Sequence, residues 1–487
     1  MTTENSLKEQ ILARVRFDNP WWTTKQIPDD YRAMKPRLYF DAFYSLVDEK
    51  QVRRSVILMG PRRVGKTVML FHCIQKLIDN GVNPQKIVYL SIDTPIYNNI
   101  GLEDLFNIAR DILQDPDPNE YYIIFDEIQY LKDWEVHLKS LTDSYRNTRF
   151  VASGSAAAAL KMKSAESGAG RFSDFMLPPL TFNEYLHLLD LEGLIRKKTM
   201  VWKGLETDAF DTIDIEELNR QFINYINYGG YPEITLSKGI KSNPGQYIRS
   251  DIVDKVLLRD LPSLYGIQDI QELNRLFVHI SYRSGSEFSY EALSKESNIK
   301  KETLKRYLQY LEAAFLIKIV YKIDACAKKM QRVSAFKVYL TNPSLRCALF
   351  SPLNDGDASL GGMVETAIYS QWFQRDQELY YANWRQGKSE GEVDIVKLDE
   401  LKLKPTWIVE VKWSDRYYRN PGDLDSLSSF MEKNKLDDAI VTSKTASGLV
   451  EYKNRRLLFI PSALYAYLVG YRTIQKGLQR DHFDPIF

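Results

Sequence analysis

The chain has 487 residues, 44% of them hydrophobic, and a formal net charge of +1. That length accommodates two to four domains with full cores, and the near-neutral balance excludes a whole-molecule field that draws in nucleic acid, so any such surface must be a local patch. Three scattered cysteines, Cys73, Cys326 and Cys347, argue against a disulfide framework or a zinc site and suit a reducing, cytoplasmic setting. No apolar run reaches membrane-spanning length, and charges interrupt the short apolar stretch at the N-terminus, unlike a signal peptide; no membrane partner is expected.

Residues 1–50 read as a helical lead-in. Trp21-Trp22, after Asn19-Pro20, is expected to dock on the following domain or, alternatively, to stack on a ligand. Between 51 and 190, apolar strands alternate with helices. The runs Val56–Met59, Ile87–Ile92, Tyr121–Phe125 and Arg149–Ala152 are continuous rather than alternating, which indicates a parallel sheet covered on both faces. The first run leads into Gly60-Pro61-Arg62-Arg63-Val64-Gly65-Lys66-Thr67, a complete G-x-x-x-x-G-K-T opening a helix. In that strand–loop–helix context, backbone N–H groups and a helix N-terminus cradle phosphates. Lys66 reaches the β- and γ-phosphates, and the Thr67 hydroxyl binds Mg²⁺.

The third run ends in Asp126-Glu127. Buried acids at a strand end are costly unless they bind something. Asp126 is expected to support Mg²⁺ and Glu127 to polarise the attacking water. After the next strand, Ser155, in preference to Ser153, is the candidate γ-phosphate sensor. Arg171 could act in trans on a neighbouring subunit's nucleotide in a homo-oligomer, or form a surface ion pair. Asn434-Lys435-Leu436-Asp437 matches the guanine-reading N-K-x-D but lies far downstream after a helix, so ATP is favoured over GTP.

Residues 191–265 read as a mostly helical, polar lid or linker, with a charge-rich stretch at 192–217. Residues 266–330 read as a winged helix. A short helix at Tyr290–Lys295 is followed by a turn and a longer helix at Lys301–Phe315. Leu304, Tyr307, Leu308 and Leu311 give that helix an apolar stripe, and Lys300, Lys301, Lys305 and Arg306 its opposite face. That face either contacts DNA or is simply solvated.

Residues 331–487 form a second α/β unit. In Glu392–Val396 and Val409–Trp413 the residues alternate, so Asp394 faces away from its apolar neighbours, and Glu410 and Lys412 share one face. The short connection 398–405 makes these strands adjacent, and Glu365 on the preceding helix adds a carboxylate. Asp394, Glu410 and Glu365 could hold Mg²⁺, with Lys412 steadying charge on a scissile phosphate; a salt-bridged strand pair is the alternative.

These motifs, with Pro179–Tyr185, Tyr228–Glu233 and Gly362–Glu365, resemble bacterial and archaeal AAA+-type ATPases that carry a C-terminal domain of unknown function, the archaeo-bacterial junction ATPases. GEVDIV followed by IVEVKWS is similar to the core of PD-(D/E)XK nuclease folds. The resemblance implies an α/β architecture: a P-loop core, a winged-helix connector and a restriction-endonuclease-like C-terminal domain. It places Lys66, Thr67, Asp126 and Glu127 on the nucleotide site, and Glu365, Asp394, Glu410 and Lys412 on the nuclease-fold core. The expected function is ATP hydrolysis coupled to a Mg²⁺-dependent module acting on DNA. The tyrosine-rich composition, with 30 Tyr, leaves open a signalling or scaffold ATPase whose C-terminal domain only binds.

Overall fold

The continuous apolar runs of the first third become the strands of a parallel sheet: β1 (Ser55–Met59), β2 (Ile87–Ser91), β3 (Tyr122–Asp126), β4 (Arg149–Gly154) and β5 (Phe172–Met176). The structure, a computed structural model, describes residues 2–49, 51–97, 100–115, 117, 119–154, 170–202, 205–237, 239–240, 243–329, 335–373, 378–386, 389–399, 401 and 404–478. The chain folds as two units, residues 1–178 and 179–487.

In the first unit the sheet order is β2-β3-β4-β1-β5, with every neighbouring pair parallel. β1 and β3 are buried along their whole length, as both-face coverage requires. The helices Lys66–Asp79, Leu102–Leu113 and Trp134–Ser144 supply that cover through Leu70, Ile74 and Leu77, Leu105 and Phe106, and Leu138 and Leu141. Each such side chain contributes about 1.5–3 kcal/mol on burial. The order brings the carboxyl ends of β1, β3 and β4 to one edge of the sheet, where open α/β sheets bind ligands.

The lead-in seals the opposite edge strand. Asn19 exchanges hydrogen bonds with the Tyr89 backbone, and the indoles of Trp21 and Trp22 both donate to the Ile87 carbonyl, at 3.0 and 2.8 Å. The tryptophan pair thus docks through its polar handles, satisfying β2 backbone groups that an edge strand otherwise leaves exposed.

In the second unit, the stretch expected to be helical around 192–217 is instead a hairpin of β6 (Ile195–Trp202) and β7 (Leu205–Thr212). The charges pair across the hairpin rather than lining a helical face: Lys197 meets Asp208 at 2.7 Å and Lys198 meets Asp211 at 3.6 Å, while Trp202, Ala209 and Phe210 are buried. Helix Ile215–Tyr228 follows, capped by Asp214, whose side chain accepts from the Glu217 N–H.

Helices Ile270–Tyr282, Tyr290–Ser297 and Lys301–Ala313 come next; Asn298 at φ 57° makes the tight turn between the last two. Leu304, Tyr307, Leu308 and Leu311 are buried as expected. Around them lie β8 (Glu287–Phe288), β9 (Ile317–Ile323) and β10 (Phe336–Leu340), in antiparallel pairs β8–β10 and β9–β10.

β9 also pairs in parallel with β11 (Leu379–Gln386), which continues through β12 (Ser389–Leu398), β13 (Pro405–Glu410), β14 (Asp438–Ser443), β16 (Arg455–Pro461) and β15 (Gly448–Tyr452). One nine-stranded sheet therefore runs across position 330, the expected boundary between the winged helix and the second α/β unit. Helices Leu360–Ser370, Asp425–Asn434 and Ser462–Leu478 accompany it. Asn434 of the N-K-x-D match closes one of these helices, and its amide donates to the Ala325 and Phe430 carbonyls. Among the described residues, no helix is long and apolar enough to cross a membrane.

Candidate functional site

The loop after β1 turns on two left-handed residues, Arg63 at φ 64° and Gly65 at φ 95°, before the helix Lys66–Asp79 begins. Gly60 admits no side chain, since a Cβ there would lie 2.3 Å from the Leu177 carbonyl oxygen. Lys66 is only 5% exposed, and its ammonium donates to the Gly60 and Pro61 carbonyls at 3.1 and 2.9 Å. Arg62 donates to the Tyr130 hydroxyl at 3.3 Å, and Val64 is fully buried.

Arg37, which sequence reasoning missed, fixes the loop from outside. It donates to the Val64 carbonyl at 2.6 Å and to the Pro178 carbonyl at 3.0 Å. Its place in the lead-in, with no motif around it, gave no signal.

Asp126 closes the site. Its Oδ2 accepts from Thr67 Oγ1 at 2.8 Å and from the Tyr89 hydroxyl at 2.7 Å, and its Oδ1 accepts from Ser153 Oγ and from the Glu127 N–H. Burial and the Asp126 carboxylate push the Tyr89 phenol far up, so it remains a donor. Glu127 sits at φ 54°, turning the chain sharply at the end of β3, and its carboxylate accepts from Gln129. A helix N-terminus, an ammonium, and a hydroxyl beside a carboxylate form a donor set that fits a nucleoside polyphosphate with Mg²⁺.

Ser155 lies outside the described residues. Ser153, the alternative weighed for the same role, touches both Asp126 and the Glu127 N–H. Arg171 forms the ion pair that competed with its trans role, at 2.6 Å from Asp143 with both side chains nearly half exposed.

The second constellation lies on the nine-stranded sheet. β12 and β13 pair antiparallel, Ile395 opposite Val409, as the short connection required. β13 ends at Glu410, yet Lys412 still reaches back; its Nζ lies 2.7 Å from Glu410 Oε1 and 3.6 Å from Asp394 Oδ2. Asp394 is anchored by the Val411 N–H at 2.7 Å. Burial and Asp394 push the Glu410 carboxyl up to about 8 against the pull of Lys412. Burial works against the Lys412 ammonium, but Asp394 and Glu410 outweigh it and hold its pKa high. Among the described residues, Glu410 Oε2 is buried without a hydrogen-bond partner.

Glu365 does not join Asp394 and Glu410 around one position. Its Oε1 accepts from Lys337 Nζ at 2.9 Å and from the Tyr339 hydroxyl at 2.5 Å. Among the described residues, no three His, Cys, Asp or Glu side chains are arranged to hold a metal ion. The three-carboxylate set expected from sequence is thus divided by Lys337, on β10. Two carboxylates, Asp394 and Glu410, remain together with a spare acceptor oxygen, a donor set that fits one hard cation. Lys337 gave no sequence signal, because it sits mid-strand, more than 50 residues before Asp394.

Residues 52–186 match the model of an AAA domain, and residues 219–356 match a domain of unknown function (DUF8612). The chain is similar to an uncharacterized protein of Methanocaldococcus jannaschii, 26% identical over 351 residues covering 71% of this chain and 72% of the relative. It is also similar to an uncharacterized protein of Haemophilus influenzae, 22% identical over 378 residues covering 76% of this chain and 85% of that one. Among solved structures, the Walker-type ATPase of Pyrococcus abyssi aligns at 13% identity over 63% of this chain and 94% of its own, with a TM-score of 0.36. AMPPCP-bound DnaA from Aquifex aeolicus aligns at 14% identity over 61% and 92%, with a TM-score of 0.27. The first unit carries an AAA-type P-loop ATPase domain.

Proposed function

We propose that this protein uses ATP, with Mg²⁺, to control a nuclease-like pocket acting on DNA. In the first unit Lys66 binds the β- and γ-phosphates, and Thr67 and Asp126 hold the metal. Glu127 orients the attacking water, and Ser153 or Ser155 reports the γ-phosphate. Arg171 reaches a neighbouring subunit's nucleotide once its pair with Asp143 opens; an exposed pair of this kind contributes about 0–1 kcal/mol, so opening it is cheap.

In the second unit Asp394 and Glu410 hold Mg²⁺, which supplies an activated water and charge neutralisation. Lys412 stabilises the charge that develops on the scissile phosphate. The observation that carries this reading is the buried, unpartnered Glu410 Oε2, beside an Asp394 that shares Lys412 with it. Helices Tyr290–Ser297 and Lys301–Ala313, with β9 and β10, serve as a winged-helix module for DNA. Lys300, Lys301, Lys305 and Arg306 supply its contacts to the phosphate backbone; the exposed pairs of Lys301 with Glu291 and of Lys305 with Glu302 open as cheaply as that of Arg171.

A second reading has its own observation. The Lys337 ammonium already neutralises Glu365, which favours a pocket that binds without cutting, in a signalling or scaffold ATPase.

The deciding experiment is cleavage of duplex, single-stranded and branched DNA by the full-length protein with Mg²⁺ and ATP. Wild type is expected to cut at least one, and Glu410→Ala and Lys412→Ala to cut none. No cleavage by wild type, or equal cleavage by the variants, removes the nuclease assignment.

A further inference from the structure

Lys337 is buried in β10, with its side chain 3% exposed. Its Nζ lies 2.9 Å from Glu365 Oε1, 2.6 Å from Glu392 Oε1 and 3.9 Å from Asp394 Oδ1, and 5.3 Å from the centre of the Tyr381 ring. Carboxylates from a helix and a strand thus converge on one nitrogen. Oxygen donors gathered from separate elements around one point are how a hard divalent cation is held. Here a tethered monovalent cation fills that point.

The other half of the pocket differs. Asp394 turns its second oxygen, Oδ2, toward Lys412, and Glu410 keeps Oε2 without a partner although the residue is only 7% exposed. Each half holds a lysine, Lys337 in one and Lys412 in the other, where Lys412 Nζ lies 2.7 Å from Glu410 Oε1; among the described residues only the second half also keeps a spare acceptor, Glu410 Oε2, for an ion from solution.

We propose that Lys337 is a built-in cation of this pocket. It limits the pocket to one divalent ion, and removing its charge opens a second divalent site among Glu365, Glu392 and Asp394. This rests on the reading that Asp394 and Glu410 hold a metal, and adds how many ions the pocket takes and why. A buried carboxylate cluster stripped of its counter-charge is strongly unfavourable. Protonation of the carboxylates or a cation drawn from solution relieves it, and a count of bound metal separates the two.

The test counts bound Mn²⁺ on full-length, nucleotide-free protein, by the electron paramagnetic resonance signal of the free ion. Every sample carries Asp126→Asn, so an ion near Thr67 is not counted. One ion is expected on this parent and two after adding Lys337→Met. The increment tests the built-in cation, and equal counts overturn it. The parent count tests the underlying reading separately. Zero ions on the parent removes the metal role of Asp394 and Glu410, whatever the increment. If the Lys337→Met protein does not fold in metal-free buffer, refolding in Mn²⁺ is expected to recover its circular dichroism spectrum. Failure to recover overturns the proposal.

Discussion

Thr67 Oγ1 donates to Asp126 Oδ2 across 2.8 Å, joining two residues 59 positions apart at the carboxyl edge of the parallel sheet. That bond brings to one point the hydroxyl and the acid proposed to hold Mg²⁺. Lys66→Ala is expected to abolish ATP hydrolysis. Glu127→Gln is expected to keep ATP binding while slowing hydrolysis by about 10²–10⁴-fold, the usual worth of a positioned acid–base group. Steady-state phosphate release, with binding followed on a fluorescent ATP analogue, checks both. Wild-type turnover in either variant contradicts the assignment.

Arg37 ties the phosphate loop to the end of the first unit through two backbone carbonyls. Arg37→Met leaves both carbonyls without that donor, at about 1–3 kcal/mol for each buried group left unsatisfied. Lower thermal stability is expected, together with about tenfold weaker nucleotide binding, the equivalent of about 1.4 kcal/mol. Unchanged affinity in a folded variant would show that the loop holds its shape without Arg37.

The acidic pocket makes metal-free stability depend on pH. Glu410 titrates at about 8 in the folded protein, whereas an unfolded Glu titrates near ~4.3. Between those values the folded state binds more protons than the unfolded state, so this group's contribution is full below about 4.3 and is lost as pH rises through about 8. In chelator, wild type is expected to lose more melting temperature between pH 5 and pH 9 than Glu410→Gln. Parallel profiles would show that Glu410 is not the group responsible.

Lys300 and Arg306 are exposed on the helix pair between β8 and β9. If they neutralise phosphates, Lys300→Ala and Arg306→Ala should each weaken DNA binding for all sequences alike. Each should also reduce the slope of log affinity against log salt by about 1. Fluorescence anisotropy across a salt series reads both quantities, and an unchanged slope removes that face from the DNA contact.

The phosphate loop was legible because its chemistry is contiguous: Gly60 to Thr67 carries its own glycines, lysine and hydroxyl between an apolar strand and a helix. Asp394, Glu410 and Lys412 were legible for a related reason, since a short connection and strand alternation bring them together. Arg37, Tyr89 and Lys337 were not. Each enters its site from a separate element, and its partners are set by sheet order rather than by spacing. Lys337 also altered the chemistry, drawing Glu365 away from the other two acids. The 192–217 stretch carries no strand signal, since Ala209 and Phe210 are buried side by side and its charges find their partners only across the hairpin, Lys197 with Asp208.

The most direct test of nucleotide control over the acidic pocket is the rate of DNA cleavage by full-length protein in Mg²⁺, with and without ATP, compared with Lys66→Ala in ATP. Cleavage that requires ATP in wild type and is lost in Lys66→Ala is the expected result. Cleavage at the wild-type rate by Lys66→Ala, or in the absence of ATP, would contradict it.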